Sequence, residues 1–272
     1  MVNVCHEFAL SRNLKFGTHK DASKSKTKCI LFTKKKYNTE SIKKISLGGD
    51  PLPWVRDVKH LGHVLQSDNS MRLDIALKRG SYIGKVNSLL QEFCNVPPQV
   101  LMKLINSFAA SIYGSNLWDI FSKDSERLYT SYNVTIRNAL NLDKRTHRYL
   151  LEPLAETVHL KTMILSRYVS FFKSLIKCRK FPVRFLARVQ QFDMRTVLGK
   201  TLRKLTELCD VAVCDLNTSI VKKKIKYKTI PDEEKWRLWM AKELMDVRMQ
   251  DQVVDGFSVD ETNEILAYIC SS

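Results

Sequence analysis

The chain has 272 residues, 44% of them hydrophobic, and 45 Lys and Arg against 28 Asp and Glu, a formal net charge of +17. This length and apolar content exclude a disordered chain and suit one large domain or two smaller ones. The charge exceeds the few net charges that solubility needs and points to a polyanionic partner, nucleic acid ahead of an anionic membrane surface.

The opening residues, MVNVCHEFALSRNLKF, lack the basic start and long apolar stretch of a secretory signal. No run of about eighteen apolar residues follows. The expectation is an intracellular protein of cytoplasm or nucleus with no membrane partner. Cysteines 5, 29, 94, 178, 209, 214 and 270 show no disulfide-framework spacing and are expected to be reduced.

Residues 4–16 read as a helix with Val4, Phe8 and Ala9 at helical spacing. After a polar, lysine-rich loop, CILF at 29–32 has strand character. ISL at 45–47 is a second strand, Gly48-Gly49-Asp50 a turn, LPWV the opening of the return, and 58–65 the next strand. From residue 71 the period becomes helical. Leu73, Leu77, Ile83, Val86, Leu90 and Phe93 mark one helix, and Pro97-Pro98 ends it. Leu101, Leu104, Ile105, Phe108 and Ile112 mark a second, Leu128, Tyr132, Ile136 and Leu140 a third. Leu160, Met163, Ile164, Phe171, Phe172 and Leu175 continue in a fourth, with more helix after Pro182. Residues 216–231 lose periodicity and gain lysine, which reads as a basic linker. Trp236, Trp239, Met240, Leu244 and Val247 share a helical face, and Ser258 with Glu261 forms a capping box before a last helix carrying Ile265, Leu266 and Ile269. The fold class is therefore α+β and mostly α: a small antiparallel edge, a helical bundle, and a small C-terminal helical segment.

Several pairings invite a metal or catalytic reading. His60 and His63 sit in HLGHVL; in a continuous strand, residues three apart face opposite sides and cannot share one ion. Cys209 and Cys214 have no second Cys pair and read as structural thiols, so no metal site is expected. There is no GxSxG, HExxH, Walker A, GxGxxG or Asp-Asp pair. Asp232-Glu233-Glu234 fits the positive end of the following helix. Between residues 20 and 36 lie seven lysines (20, 24, 26, 28, 34, 35 and 36) against the single Asp21. They serve either solubility or phosphate neutralisation, and charge alone does not choose. The Trp236, Trp239 and Met240 face has two readings, core packing or docking of a partner protein.

The order of features, NLKF, then KSKTKCILF, a Gly-Gly hairpin, VKHLGHVL, a helix pair, YGSNLW, THRYLLEPL and a final GFSVDETNEILAYICSS, resembles the C-terminal part of the reverse transcriptase of non-LTR (LINE-type) retrotransposons. The resemblance implies that residues 1–70 are the end of the palm, 71–215 the helical thumb and its extension, 216–231 a linker and 232–272 a C-terminal helical segment. KSKTKCILF matches the fourth palm motif, whose lysine is thought to be a general acid toward pyrophosphate; Lys26 is the choice, with Lys24 and Lys28 as alternatives. Gly17 stands where the family usually has asparagine. HLGHVL matches the primer-grip hairpin, which carries that role to His60, Leu61 and Gly62. Gly62 then reads as the place where a nucleic-acid backbone comes close, although a bulge needs no ligand. Lys34, Lys35, Lys36, Lys78, Arg79, Lys85 and Lys103 become candidate contacts to an RNA/DNA hybrid. The family's two-metal carboxylates, about 4 Å apart in their cations, come from an earlier palm motif and a Tyr-x-Asp-Asp turn. The resemblance places both before Met1. The expectation is a truncated fragment, derived from an RNA-directed DNA polymerase, that binds template–primer without polymerising. It needs no cofactor of its own, and Mg2+ belongs with the carboxylates it lacks. A helical interaction module or a decayed transposon copy are the alternatives.

Overall fold

The computed structural model describes residues 2–19, 21, 24–33, 38, 41–225, 231, 234–249 and 259–271. The architecture is α+β and mostly helical, with eleven α-helices among the described residues. Its elements divide between two units, Met1–Asp74 and Ile75–Ser272. The stretches read as 71–215, 216–231 and 232–272 fall in the second unit, apart from residues 71–74.

Among its described residues, the first unit holds helix α1 (Val2–Ser11) and three separate two-stranded ladders. β1 (Cys29–Ile30) runs parallel to β4 (Trp54–Val55), whereas β2 (Ile45–Leu47) pairs antiparallel with β3 (Asp50–Leu52). Gly48 and Gly49 turn the β2–β3 hairpin at φ +61° and +90°, the region glycine enters without penalty. Residues 58–65 are not one strand. Leu61 and Gly62, at φ +47° and +80°, make a two-residue turn between β5 (Asp57–His60) and β6 (His63–Gln66), with His60 opposite His63. The apolar pattern conceals the break because a leucine occupies the left-handed position where glycine or asparagine usually signals it.

The second unit is helical. α2 (Arg72–Glu92), whose first residues belong to the first unit, buries Ile75, Tyr82, Val86 and Leu89. It does not bury Leu73, Leu77 and Ile83, which the spacing predicts as core and which are exposed. The inward stripe is set by Tyr82, whose hydroxyl donates to Thr135 Oγ1 at 2.9 Å. The second predicted helix is α3 (Pro98–Leu104), with Pro97 as its N-cap, followed by a π-helical turn over Ile105–Ala109. The extra residue in that turn rotates the register. Ala109 and Ala110 face inward and Phe108 comes out, 58% exposed, against the expectation.

α4 (Lys123–Ala139) is capped by Ser122, whose hydroxyl accepts from Ser125 N–H. As the period predicts, it buries Leu128, Tyr132 and Ile136 completely, and Leu140 at its end likewise. α5 (Arg148–Leu154), α6 (Leu160–Ile176), α7 (Phe181–Gln190) and α8 (Val197–Cys209) follow. Where a linker is expected, residues Thr218–Lys224 form α9, which packs on α6. Leu216, Val221 and Ile225 are buried, and Thr162 Oγ1 donates to Ile225 O at 3.2 Å. Lys222, Lys223 and Lys224 point outward from the same helix and mask its apolar side in the sequence.

α10 (Lys235–Met249) buries Ala241 and Met245, while Trp236 and Trp239 are 53% and 61% exposed. Core packing is not the fate of those tryptophans. α11 (Val259–Ser271) buries Leu266, Ile269 and Cys270. Ser258 of the predicted capping box, Asp232 and Glu233 of the acidic triplet, and residues 226–230 of the linker lie outside the described residues. No helix among the described residues is long and apolar enough to cross a membrane.

Candidate nucleic-acid interface

In the first unit, the residues matched to the primer grip form the tip of the β5–β6 hairpin. Leu61 is 76% exposed at φ +47°. A leucine held in left-handed backbone with its side chain in solvent is strained, and strain of this kind clusters at sites of contact. Gly62 needs no ligand to explain it, because the second turn position requires a positive φ. His60 and His63 are directly opposite across the turn, so the argument that a continuous strand sends them to opposite faces does not hold. They part for a different reason: His60 is exposed, and His63 is buried with Nδ1 3.2 Å from Asp74 Oδ2. Residues flanking a two-residue turn exchange their ladder bonds, which sends the next N–H, that of Val64, away from β5. It donates to Asp74 Oδ1 at 3.0 Å. Leu73 N–H donates to Gln66 Oε1 at 2.9 Å, closing the clasp between the hairpin and the start of α2.

The KSKTKCILF loop folds back on Gly17. Lys26 N–H and Thr27 N–H both donate to Gly17 O, at 2.8 and 3.0 Å. Ser25, 2% exposed, donates to Thr27 O at 2.8 Å. A β-carbon on Gly17 would lie 3.0 Å from Lys26 Cβ, so the glycine permits a close approach to the lysine stem that a larger residue would push aside. Lys26 and Lys28 are exposed, and Lys24 faces Asp21 at 3.9 Å. Lys34, Lys35 and Lys36 lie outside the described residues.

The second unit brings cations and aromatic rings together. A cavity of about 200 Å³ is lined by Lys78, Ser81, Tyr82 and Lys85 of α2 with Ala109, Ser111, Ile112 and Tyr113. A larger one of about 770 Å³ shares Ser111, Ile112 and Tyr113 and continues along α6 and α9 to Arg167 and Lys222. Tyr113 is 70% exposed, and Lys78 Nζ sits 5.5 Å from its ring centroid while donating to its carbonyl at 2.8 Å. Lys85 Nζ lies 5.1 Å from the centroid of Phe108, the ring that the π-helical turn expels. These cation–π contacts hold two ammonium groups beside two exposed ring faces. Arg167 donates from Nη1 to Ala110 O at 3.2 Å, and its partial burial lowers its pKa from the usual guanidinium value. Ser115 is 1% exposed, and its hydroxyl has no hydrogen-bond partner among the described residues although the residue lines the larger cavity.

A buried polar network stands behind Tyr82. Its ring lies 6.5 Å from that of Tyr132, whose hydroxyl donates to Asn106 Oδ1 at 2.8 Å. Burial pushes the Tyr132 hydroxyl up to about 12, so it stays a donor. His159 accepts Lys161 N–H at Nδ1 (3.1 Å), which leaves Nε2–H to donate to Asn133 Oδ1 at 3.0 Å. Burial, with a smaller contribution from the Lys161 charge, depresses this imidazole to about 3. The neutral ring is thus locked in one tautomer.

Of the predicted contacts, Lys78 and Lys85 line the smaller cavity. Arg79 turns instead to α4 and donates from Nε to Ser131 Oγ at 2.7 Å, while Lys103 is exposed on α3 and lines neither cavity. Sequence reasoning missed Phe108, Tyr113, Arg167 and Lys222. The YGSNLW motif held the signal for Tyr113, since Gly114 at φ +74° turns the chain there and leaves the tyrosine outside. Phe108 had none, because a π-turn leaves no pattern in a single sequence. Among the described residues, no group of three or more His, Cys, Asp or Glu could hold a metal ion. The chain matches no protein-family model, no curated protein and no solved structure.

Proposed function

We propose that the chain is palm edge and thumb of a non-LTR retrotransposon reverse transcriptase, and that it holds template–primer nucleic acid, an RNA/DNA hybrid, without supplying the carboxylates of polymerisation. The observation that carries this reading is a groove of two cavities that share Tyr113, one lined by Lys78 and Lys85 and the other by Arg167 and Lys222, with Lys78 beside the exposed Tyr113 ring and Lys85 beside the exposed Phe108 ring. Cations along a groove neutralise phosphates regardless of sequence, and exposed rings stack on bases or sugars. In this reading residues 1–70 are the palm edge and 71–215 the thumb. The exposed Leu61 tip supports the primer strand, and Lys26 is the general acid toward pyrophosphate once the polymerase carboxylates and their Mg2+ are supplied. The sequence contains no Asp-Asp pair, so that chemistry is not assigned to this chain.

A second reading draws on the exposed Trp236 and Trp239, which suit a docked partner protein. Hybrid binding separates the two. A Lys78→Ala/Lys85→Ala double variant is expected to bind a labelled RNA/DNA hybrid about tenfold more weakly than the parent at moderate salt, and Trp236→Ala/Trp239→Ala is expected to bind it unchanged. Undiminished affinity in the lysine variant would remove the groove from the account. Lost affinity in the tryptophan variant would move the interface to α10.

A further inference from the structure

The loop between α4 and α5 builds a second basic cavity that the groove does not include. It measures about 360 Å³ and is lined by Arg137, Arg145, Thr146, His147, Arg148 and Tyr149, the start of the THRYLLEPL motif. The loop is fixed by its own backbone. Asn141 takes φ +50°, Thr146 N–H donates to Asp143 O at 3.1 Å, and Arg145 N–H donates to Asp143 Oδ1 at 2.7 Å. Arg137 reaches from the last turn of α4 and donates from Nη2 to Thr146 O at 2.7 Å, which holds one guanidinium at the wall of the cavity. His147 N–H donates to Cys270 O at 2.9 Å, so α11 braces the same loop.

Two features of this cavity point to a ligand. Thr146 is 1% exposed, yet its hydroxyl has no hydrogen-bond partner among the described residues. A buried hydroxyl without a partner costs free energy that a ligand oxygen would recover. The rings of His147 and Tyr149 are stacked, 5.1 Å between centroids and 12° between planes, which presents a flat surface beside three guanidinium groups. Burial, and then the charge of Glu234, raises the pKa of the Tyr149 hydroxyl, and Glu234 ion-pairs with Arg237. Asp143 is a carboxylate of the loop; its Oδ1 accepts from Arg145 N–H and from Ser271 Oγ at 3.4 Å. Guanidinium groups recognise phosphate through paired N–H donors, and a volume of this order accommodates a nucleotide.

We infer that this cavity is a nucleotide-phosphate subsite, in which Arg137, Arg145 and Arg148 with the Thr146 hydroxyl take the phosphate ester and the His147–Tyr149 stack takes the base. The phosphate is either an internal phosphodiester of a bound strand or a terminal 5′-phosphate. The inference rests on the nucleic-acid reading for the class of ligand and on none of the groove residues.

The test compares the parent chain with Thr146→Val, Arg145→Ala/Arg148→Ala and Lys78→Ala/Lys85→Ala. The probes are adenosine 5′-monophosphate, a short single-stranded RNA with a 5′-phosphate or a 5′-hydroxyl, and the RNA/DNA hybrid. Thr146→Val removes a hydroxyl that has no partner among the described residues, so its melting temperature is expected to match or exceed the parent's while phosphate affinity falls at least fivefold. The double arginine variant is expected to lose at least tenfold. A loss seen with adenosine monophosphate and the 5′-phosphorylated strand but not the 5′-hydroxyl strand assigns a terminal phosphate. An equal loss on both strands assigns an internal phosphodiester. Parent-like binding of every probe by both loop variants overturns the inference, as does a Thr146→Val protein that melts well below the parent with unchanged affinity. If the parent binds the hybrid, only the lysine variant loses it, and neither loop variant loses any probe, the subsite is refuted and the groove stands. If the parent binds adenosine monophosphate but no hybrid, the subsite stands and the hybrid reading falls.

Discussion

At the scale of single residues, the buried histidine makes the sharpest prediction. His159 is neutral in the fold, with its pKa depressed from 6.5 to about 3 by burial and then by the Lys161 charge. The unfolded chain takes up a proton near 6.5 and the folded chain does not, so the contribution is fully present above 6.5 and is lost as pH falls toward 3. Its size is on the order of 3–5 kcal/mol. In denaturant unfolding at stepped pH, His159→Gln is expected to lose stability more shallowly than the parent between pH 6.5 and 3; parallel curves would contradict the depressed imidazole. The fully buried positions of α4, Leu128, Tyr132 and Ile136, were legible because each recurs at helical spacing among polar residues. Leu61 was not. A leucine in left-handed backbone violates local preference, and a reading built on preference turns it into the middle of a strand. The inward His63 was hidden for the same reason, because its partner Asp74 lies beyond the turn that was not seen.

At the scale of elements, the clasp between the β5–β6 hairpin and the start of α2 is what keeps the tip in register. Asp74, 1% exposed, takes the outward N–H of Val64 and faces His63. Asp74→Ala is expected to destabilise the hairpin by about 1–3 kcal/mol, since it strips a buried donor of its acceptor. Amide hydrogen exchange should show this as faster exchange at Val64, with the amides of α4 unaffected; unchanged protection at Val64 would show that the clasp does not hold the strand. Helices with a strong period were legible as elements, and in the first unit β1 and β2 were legible as strands while the β5–β6 hairpin reads as a single strand. The errors fell where tertiary packing overrode periodicity. The buried stripe of α2 is rotated by the Tyr82–Thr135 bond, and the π-turn after α3 shifts Phe108 to the surface. α9 was read as a linker because its three lysines obscure Val221 and Ile225, which bury it against α6. The candidate groove was half legible in consequence. Lys78 and Lys85 could be chosen from charge on a predicted helix, but Arg167 and Lys222 reach the groove, and Phe108 reaches Lys85, only through those irregular packings.

At the scale of the whole molecule, a net charge of +17 is a statement about partners before it is one about fold. In the second unit, part of that charge is organised rather than spread: two cavities that share Ser111, Ile112 and Tyr113 gather Lys78, Lys85, Arg167 and Lys222. Another basic cavity gathers Arg137, Arg145 and Arg148. If the groove holds nucleic acid as proposed, its affinity depends on releasing counterions from phosphates and must follow salt. The most direct measurement is the affinity of the parent chain for an RNA/DNA hybrid across a salt series. Four groove cations at somewhat under one released counterion each predict a logarithmic slope of about −3 or steeper, and Lys78→Ala/Lys85→Ala should flatten it by about 2. A parent affinity that changes less than about twofold from 50 to 200 mM salt would contradict the nucleic-acid account, because phosphate contacts by these cations would then contribute nothing.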